Sequence, residues 1–173
     1  MVLSDDIRAR VRSYIQHQAT KSREAIVDLV RTSQTKYVDV ISSVPDELTT
    51  KQPDPDEWSI RQLTLHVITA EGGVARLVAA TGRGTDVTTG DRVLGMSQDD
   101  DGRPFAQLVD ELRRLNAGML DAIRDLPDPP QTSITPLHPF FGPLTCLEWA
   151  VFQRVHDEDH IQHANKILDA VRG

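Results

Sequence analysis

Apolar residues recur with the 3.6-residue period of an α-helix in four long stretches of this 173-residue chain, and no strand-like alternation persists for more than a few residues. The first stretch covers residues 4–44 and has a break near residues 19–22, which leaves a short leading helix before the first core helix. The other three stretches begin near residues 60, 104 and 146. Four long amphipathic helices without strands predict an all-α fold, a four-helix bundle with an extra N-terminal helix.

Residues that favour helix starts precede three of these stretches. Ser59 and Gln62 predict a capping box, in which each side chain accepts a hydrogen bond from the other residue's backbone amide. Thr145 and Glu148 have the same spacing before the last stretch. Pro104 suits the first position of the third helix, because the amide that proline lacks would have no partner there.

Two segments rich in turn-forming residues separate the predicted helices. Residues 83–103 are rich in Gly, Thr and Asp, and residues 127–143 contain six prolines, so both are predicted to be long loops. The leading helix falls outside the bundle pattern. We therefore divide the chain into an N-terminal helical extension, residues 1–20, and a bundle domain, residues 21–173.

Composition and charge narrow the classes of function. The chain is 39% hydrophobic and 26% charged, which is typical of a globular domain, and its net charge of −7 disfavours nucleic acid as a partner. No run of about 18 apolar residues predicts a membrane span, and the N-terminus lacks the apolar core of a signal peptide. The lone Cys146 fits a reducing compartment, hence a cytoplasmic location, and beside large apolar residues it is predicted to be a small buried hydrophobe.

Three of the six histidines lie close together in the last helix. His156 and His160 are four residues apart, which places them about 40° apart around the helix and about 6 Å apart along it, so both imidazoles can reach one metal ion. His66 lies on the apolar side of the second core helix and should face the same interior. Alone, His66 would be an ordinary core histidine, and the acidic residues 157–159 are predicted to be a solvated surface. Together, the three imidazoles predict a metal site.

His163 leaves the choice of ligands open at this point. It follows His160 by three residues and His156 by seven, so all three share one face of the helix. Spacing alone permits the pairs 156/160, 156/163 and 160/163.

The order of these motifs resembles the DinB-like superfamily of four-helix metalloproteins, which includes bacillithiol- and mycothiol-dependent enzymes. The resemblance covers roughly residues 22–172 and rests on four short motifs: WSIRQLTLH at 58–66, FGPL at 141–144, EW at 148–149 and HDEDHIQ at 156–162. It implies an up-down-down-up bundle with a three-histidine site for a divalent ion, commonly zinc or nickel. Carried over by motif, the ligands are His66, His156 and His160, and His163 falls at the rim or second shell, where members of the superfamily tend to have another polar residue.

Other polar residues near the site have weaker roles. Asp159 is three residues after His156 and can orient its ring, although a solvated acid is the simpler reading. His138, in the second long loop, can line the site's entrance or be merely exposed. Glu71 lies about 140° around the helix from His66 and should point away from the metal, so no general base is evident.

Three hypotheses follow for the function. The first is a metal-dependent enzyme that acts on a small molecule as a thiol S-transferase, using a low-molecular-weight thiol, or as a hydrolase. Three neutral ligands leave coordination positions open and leave the ion its full charge, which can acidify a water or a thiol. The second is a non-catalytic metal-binding bundle. The third is an ion-free helical module that forms a homodimer.

Overall fold

A computed structural model describes residues 4–87 and 102–172 of the chain. The predicted loop 83–103 therefore lies largely outside the described residues. The described elements confirm the all-α prediction and place a short helix in the linker before the second core helix. In chain order they are α1 (Asp5–Ala19), α2 (Arg23–Ser42), α3 (Asp46–Thr49), α4 (Ile60–Gly82), α5 (Phe105–Arg124), β1 (Leu137–His138), β2 (Gly142–Pro143) and α6 (Cys146–Arg172).

Contacts at both ends of α4 and α5 show that these two helices are parallel. At their starts, the guanidinium of Arg61 donates a 2.8 Å hydrogen bond to the carbonyl of Arg103, just before α5. At their ends, the guanidinium of Arg83 donates a 3.4 Å bond to the carbonyl of Asp125, just after α5. A connection of more than 20 residues is what allows the chain to return to the same end of the bundle.

The other two long helices run in the opposite direction. Arg23, at the start of α2, donates a 3.0 Å hydrogen bond to the carbonyl of Arg124 at the end of α5. Gly82, at the end of α4, packs against Cys146 at the start of α6, so that a Cβ on the glycine would lie 3.4 Å from the cysteine sulfur. The order α2, α4, α5, α6 is therefore up-down-down-up, as the resemblance implies.

Both predicted capping boxes are present. The Ser59 hydroxyl accepts from the Gln62 amide at 3.2 Å, and the Gln62 side chain accepts from the Ser59 amide at 2.9 Å. Thr145 and Glu148 make the same reciprocal pair at 3.3 and 2.7 Å. Pro104 is the N-cap of α5 rather than its first helical residue, one position from the prediction.

Replacing Ser59 with alanine is expected to lower the free energy of unfolding by about 1 kcal/mol, because the Gln62 amide would lose its acceptor. Urea denaturation at neutral pH measures this change. Ser43→Ala is the matched control, since the Ser43 hydroxyl is exposed and donates to the carbonyl of Val40 instead of capping a helix start. An equal loss in both variants would contradict the assigned cap.

The prediction of a fold without strands is wrong in one place. Within the second long loop, β1 and β2 pair as a small antiparallel hairpin, in which His138 lies opposite Gly142. Gly142 has φ +71, a conformation that side-chain-bearing residues rarely adopt. Two-residue strands are too short to show the alternation by which strands are recognised in a sequence.

The core consists of two apolar clusters separated by a polar layer. One cluster surrounds the fully buried Trp149 near the start of α6, and the other surrounds Leu63 near the start of α4. Ile15 of the N-terminal extension is fully buried in the first cluster, so α1 is packed onto the bundle. Between the clusters lie buried polar side chains of α2, α4 and α6, which we call the polar layer: Ser33, Gln34, Glu71, Gln153 and Asp157.

Two sequence predictions concern burial. Cys146 is fully buried, as a small hydrophobe should be. Helix α4 is by length and composition apolar enough to cross a membrane, although polar residues interrupt it and it has no unbroken run of about 18 apolar residues. In the structure 61% of its most apolar window is buried inside the protein, and this packing accounts for its composition.

Candidate metal centre

Three imidazoles from two helices converge between α4 and α6. Nε2 of His156 lies 3.2 Å from Nε2 of His66 and 3.0 Å from Nε2 of His160. The ring of His160 is nearly perpendicular to the other two, at 88° to His66 and 89° to His156, so that all three nitrogens can turn toward one point. The one ligand atom that each residue offers lies within 4.8 Å of the others.

This geometry fits a small divalent cation. A tetrahedral zinc ion with bonds of about 2.0–2.1 Å holds its ligand nitrogens about 3.3 Å apart, close to the 3.2 and 3.0 Å observed. Without an ion, Nε2 of His156 faces two other imidazole nitrogens and can satisfy only one hydrogen bond at a time. The three nitrogens can therefore be satisfied together by a metal ion but not by hydrogen bonds to one another.

The surrounding protein keeps His156 and His160 uncharged. Burial, reinforced by the neighbouring histidines, lowers the pKa of His156 well below its ordinary value and lowers the pKa of His160 to about 3. His66 and His160 are 9% and 8% exposed. A neutral imidazole is the form that binds metal, so His156 and His160 are in their binding form at physiological pH.

His163 lies at the edge of the cluster. Its ring stacks on Trp58, with centroids 5.7 Å apart and planes inclined by 30°, and Trp58 also contacts His66 at 5.2 Å. The His160 and His163 centroids are 6.2 Å apart. Trp58 thus closes one side of the cluster and keeps His163 beside it, at the rim.

Asp159 does not orient His156. Its side chain is 72% exposed, and the nearest imidazole contact is 3.9 Å, from its Oδ2 to Nδ1 of His160, which is too long for a hydrogen bond. Nδ1 of His156 is buried and has no hydrogen-bond partner within residues 4–87 and 102–172. Asp159 is a solvated acid at the edge of the site.

The expectation that the acidic run 157–159 is surface is wrong for Asp157. This carboxylate is 1% exposed and accepts hydrogen bonds from the Ser33 hydroxyl at 2.7 Å and from the Gln153 amide at 2.9 Å. Burial is the largest cause that raises its pKa, to about 7. Asp157 belongs to the polar layer directly beside the ligand His156.

Glu71 is the second buried acid of the polar layer. Its Oε1 accepts a 2.6 Å hydrogen bond from the side-chain amide of Gln34 in α2, so it points toward α2, on a different side of α4 from His66. Burial and the nearby Asp157 raise its pKa well above the ordinary value. Nothing in the sequence pattern around Glu71 distinguishes it from a solvated glutamate.

His138 is buried, not an exposed loop histidine. It is 3% exposed, and its ring packs among aromatic side chains of the hairpin and α6, including Phe152 with centroids 4.4 Å apart. The ring of Phe152 in turn lies 5.9 Å from that of His156. The hairpin therefore brings a fourth histidine to the ligand-bearing face of α6.

Two depressions elsewhere on the described surface lack histidine. One, of about 520 Å³, is lined by residues 86–87 and 133–137, and the other, of about 410 Å³, lies between α2 and α5. Each has one carboxylate in its lining, Asp86 in the first and Asp39 in the second, whereas the group of three metal-ligating side chains found among the described residues is the histidine cluster. The histidine cluster is the stronger candidate site.

Comparison with known proteins agrees with this architecture. The family model of the DinB superfamily matches residues 29–164. Among solved structures, YfiT from Bacillus subtilis, described as a probable metal-dependent hydrolase with an unusual four-helix bundle topology, has a TM-score of 0.64 at 15% identity and covers 99% of this chain and 89% of its own. TT2238, a four-helix bundle protein, has a TM-score of 0.61 at 18% identity and covers 84% and 99%. At these identities the likeness shows the fold, and no curated protein matches the chain.

Proposed function

This chain belongs to the DinB superfamily, and from that premise we propose that it is a metal-dependent enzyme that hydrolyses a small molecule. His66, His156 and His160 hold a divalent cation, zinc or nickel. The observation that carries the proposal is the convergence of their three Nε2 atoms, at 3.0 and 3.2 Å from the central nitrogen. The description of YfiT as a probable metal-dependent hydrolase supports the same class of reaction.

The protein's own contribution is to present three uncharged donors in a largely dehydrated setting. When bound, a divalent cation with three protein ligands supplies a Lewis acid with an open position for water. His66 reaches the site from α4, and His156 and His160 reach it from successive turns of α6. Trp58 shields one side from solvent. Because the ligands are neutral, the full charge of the cation is available to polarise a bound substrate.

Thiol transfer is the second candidate. Three neutral ligands favour an anionic fourth ligand, and a low-molecular-weight thiol would bind there as its thiolate. The thiol proton would pass to solvent, and the sulfur would form its bond to an electrophilic small molecule as the bond to a leaving group breaks. The polar-layer acids Glu71 and Asp157 hydrogen-bond to Gln34, Ser33 and Gln153 instead of facing the histidines, so neither serves as a general base. Neither route involves nucleic acid or a membrane. A cytoplasmic location and a homodimer remain predictions.

Metal-loaded protein is expected to turn over one of two substrate sets at a rate that depends on the ion. Chelator-treated protein is reloaded with zinc or nickel and assayed with small amides and esters, and separately with cellular thiols plus monochlorobimane. Turnover of the first set supports hydrolysis, and turnover of the second supports thiol transfer. Activity that survives full removal of the metal would overturn both.

A further inference from the structure

The side chain of His138 is held in one orientation by the hairpin that carries it. Its Nδ1 accepts hydrogen bonds from the backbone amides of Phe140 and Phe141, at 3.1 and 3.3 Å. The ring stacks on that of Phe141, with centroids 4.8 Å apart and planes 22° from parallel, and contacts Trp149 at 5.2 Å. Both the position and the rotation of the ring are therefore fixed by backbone and core.

These hydrogen bonds also determine where the imidazole proton resides. A nitrogen that accepts from two amides carries no proton, so the neutral ring must be protonated on Nε2. Burial lowers the pKa of His138 to about 4, which keeps the ring neutral. His138 thus has a hydrogen-bond donor, Nε2–H, whose tautomer is set by the fold.

The Nε2–H donor has no hydrogen-bond partner among the described residues. Nε2 of His138 is not one of the fully buried polar atoms that lack a partner, so it retains some contact with solvent. The ring lies over Phe152, which precedes the ligand His156 by four residues, or about 6 Å along α6. The oriented donor thus belongs to a ring that packs against α6 about one turn before His156, with Phe152 between the two rings.

The N-terminal extension anchors this hairpin. The guanidinium of Arg12 in α1 donates to the carbonyl of Phe141. It also lies against Gly142, where a Cβ would come within 2.8 Å of the guanidinium nitrogen. Arg12 thus holds the hairpin at the two residues that end the turn after His138.

We propose that His138 is a substrate-positioning residue, whose Nε2–H donates a hydrogen bond to a carbonyl, carboxylate or other anionic acceptor bound at the open side of the three-histidine centre. The proposal rests on the proposed function, because the acceptor must be held beside the cation. It also assigns a role to α1, which keeps the donor in place through Arg12. The favoured substrates are small molecules with an oxygen acceptor next to the reacting group.

Two substitutions test the Nε2 donor of the ring separately from its Nδ1 acceptor. His138→Asn keeps an acceptor near the position of Nδ1 for the two amides but removes the donor. His138→Gln keeps a donor near the position of Nε2 but removes that acceptor. The probe is azide, an anion that we expect to bind to the cobalt(II)-loaded protein and to change its visible spectrum. We expect His138→Asn to weaken azide binding roughly tenfold, as for a lost hydrogen bond to a charged partner, and His138→Gln to retain most of it.

A second measurement does not depend on catalysis. In ¹⁵N spectra of the imidazoles, His138 should show protonated Nε2 and unprotonated Nδ1 with and without metal, and azide should shift the Nε2 signal only in cobalt-loaded protein. Equal azide affinities of wild type and His138→Asn, at full cobalt occupancy, would overturn the proposal. So would a proton on Nδ1.

Two further outcomes are informative. If cobalt does not bind, the proposed function fails, and the positioning role fails with it; if cobalt binds and only the azide contrast is missing, His138 alone is excluded. Should His138→Asn not fold, Arg12→Ala replaces it as the test. It should leave the cobalt content unchanged and weaken azide binding by loosening the hairpin, and unchanged azide affinity in that variant would count against the proposal.

Discussion

His160→Ala is expected to reduce bound zinc or nickel from about one ion per chain to nearly none. The substitution removes one of three ligands, and even residues outside the ligand shell typically change metal affinity 10–100-fold, so we expect a loss of at least 100-fold. Elemental analysis of purified protein and competition with a chelator measure it. Metal-dependent turnover should disappear with the ion.

His163→Ala is the matched control for this loss. It removes an imidazole one turn further along the same helix, where the ring stacks on Trp58 at the rim of the cluster. Metal content should stay near that of wild type. The opposite pattern, with metal lost in His163→Ala and kept in His160→Ala, would revive one of the ligand pairs that spacing alone permits.

The bundle and the histidine cluster were predictable because both depend on local sequence. The helices have clear periodicity and capping residues, and His156 and His160 are brought together by the geometry of a single helix. His66 required one further step, namely that the apolar faces of α4 and α6 meet. Spacing could not exclude His163. The positions of residues around one helix do not show at what height along that helix His66 of the neighbouring helix lies.

The sequence does not predict the polar layer, although one spacing in it agrees with the burial of Asp157. Asp157 has acidic neighbours, which favoured a solvated face. Yet Ala150, Asp157 and Ala164 are spaced by seven residues, and a seven-residue step returns to within about 20° of the same side of a helix. Both alanines are fully buried. The partner Ser33 lies on a different helix, 124 residues away, so no local pattern could show that Asp157 is satisfied there.

The environment of His138 depends on tertiary structure throughout. Its hairpin has only two residues in each strand, and the aromatic side chains around it come from the hairpin and from α6. The anchor, Arg12, is 129 residues distant from Phe141 in sequence. The sequence alone therefore gives no indication that this loop histidine is buried.

Asp157→Asn is expected to reduce the pH dependence of stability above pH 5. Burial raises the pKa of Asp157 from 3.8 to about 7, so the folded protein holds a proton there that the unfolded chain has released. The contribution to stability is therefore fully present below pH 3.8 and is lost as the pH rises through about 7. Over that whole window the loss is about 4 kcal/mol, and between pH 5 and pH 8.5 it is about 3 kcal/mol.

The histidines act in the opposite direction, because burial lowers the pKa of His160 to about 3 and that of His138 to about 4. Their contribution to stability is lost as the pH falls below about 6.5, where the unfolded chain takes up protons first. Wild type and Asp157→Asn share these histidines. The difference in free energy of unfolding between the two proteins at each pH therefore reports on the Asp157 carboxylate together with its effect on Glu71, whose pKa it raises.

Urea denaturation of chelator-treated protein at pH 5 and pH 8.5 measures this difference. Relative to wild type, Asp157→Asn should gain about 3 kcal/mol between the two pH values, since the Asp157 carboxylate ionises in wild type alone, whereas the buried Glu71 is present in both proteins. Asp159→Asn is the matched control: its side chain is 72% exposed, and it should change stability equally at both pH values. A constant difference between wild type and Asp157→Asn would mean that Asp157 is ionised in the folded protein throughout. The hydrogen bonds from Ser33 and Gln153 would then outweigh burial, and the polar layer would be a fixed negative charge beside the metal ligands.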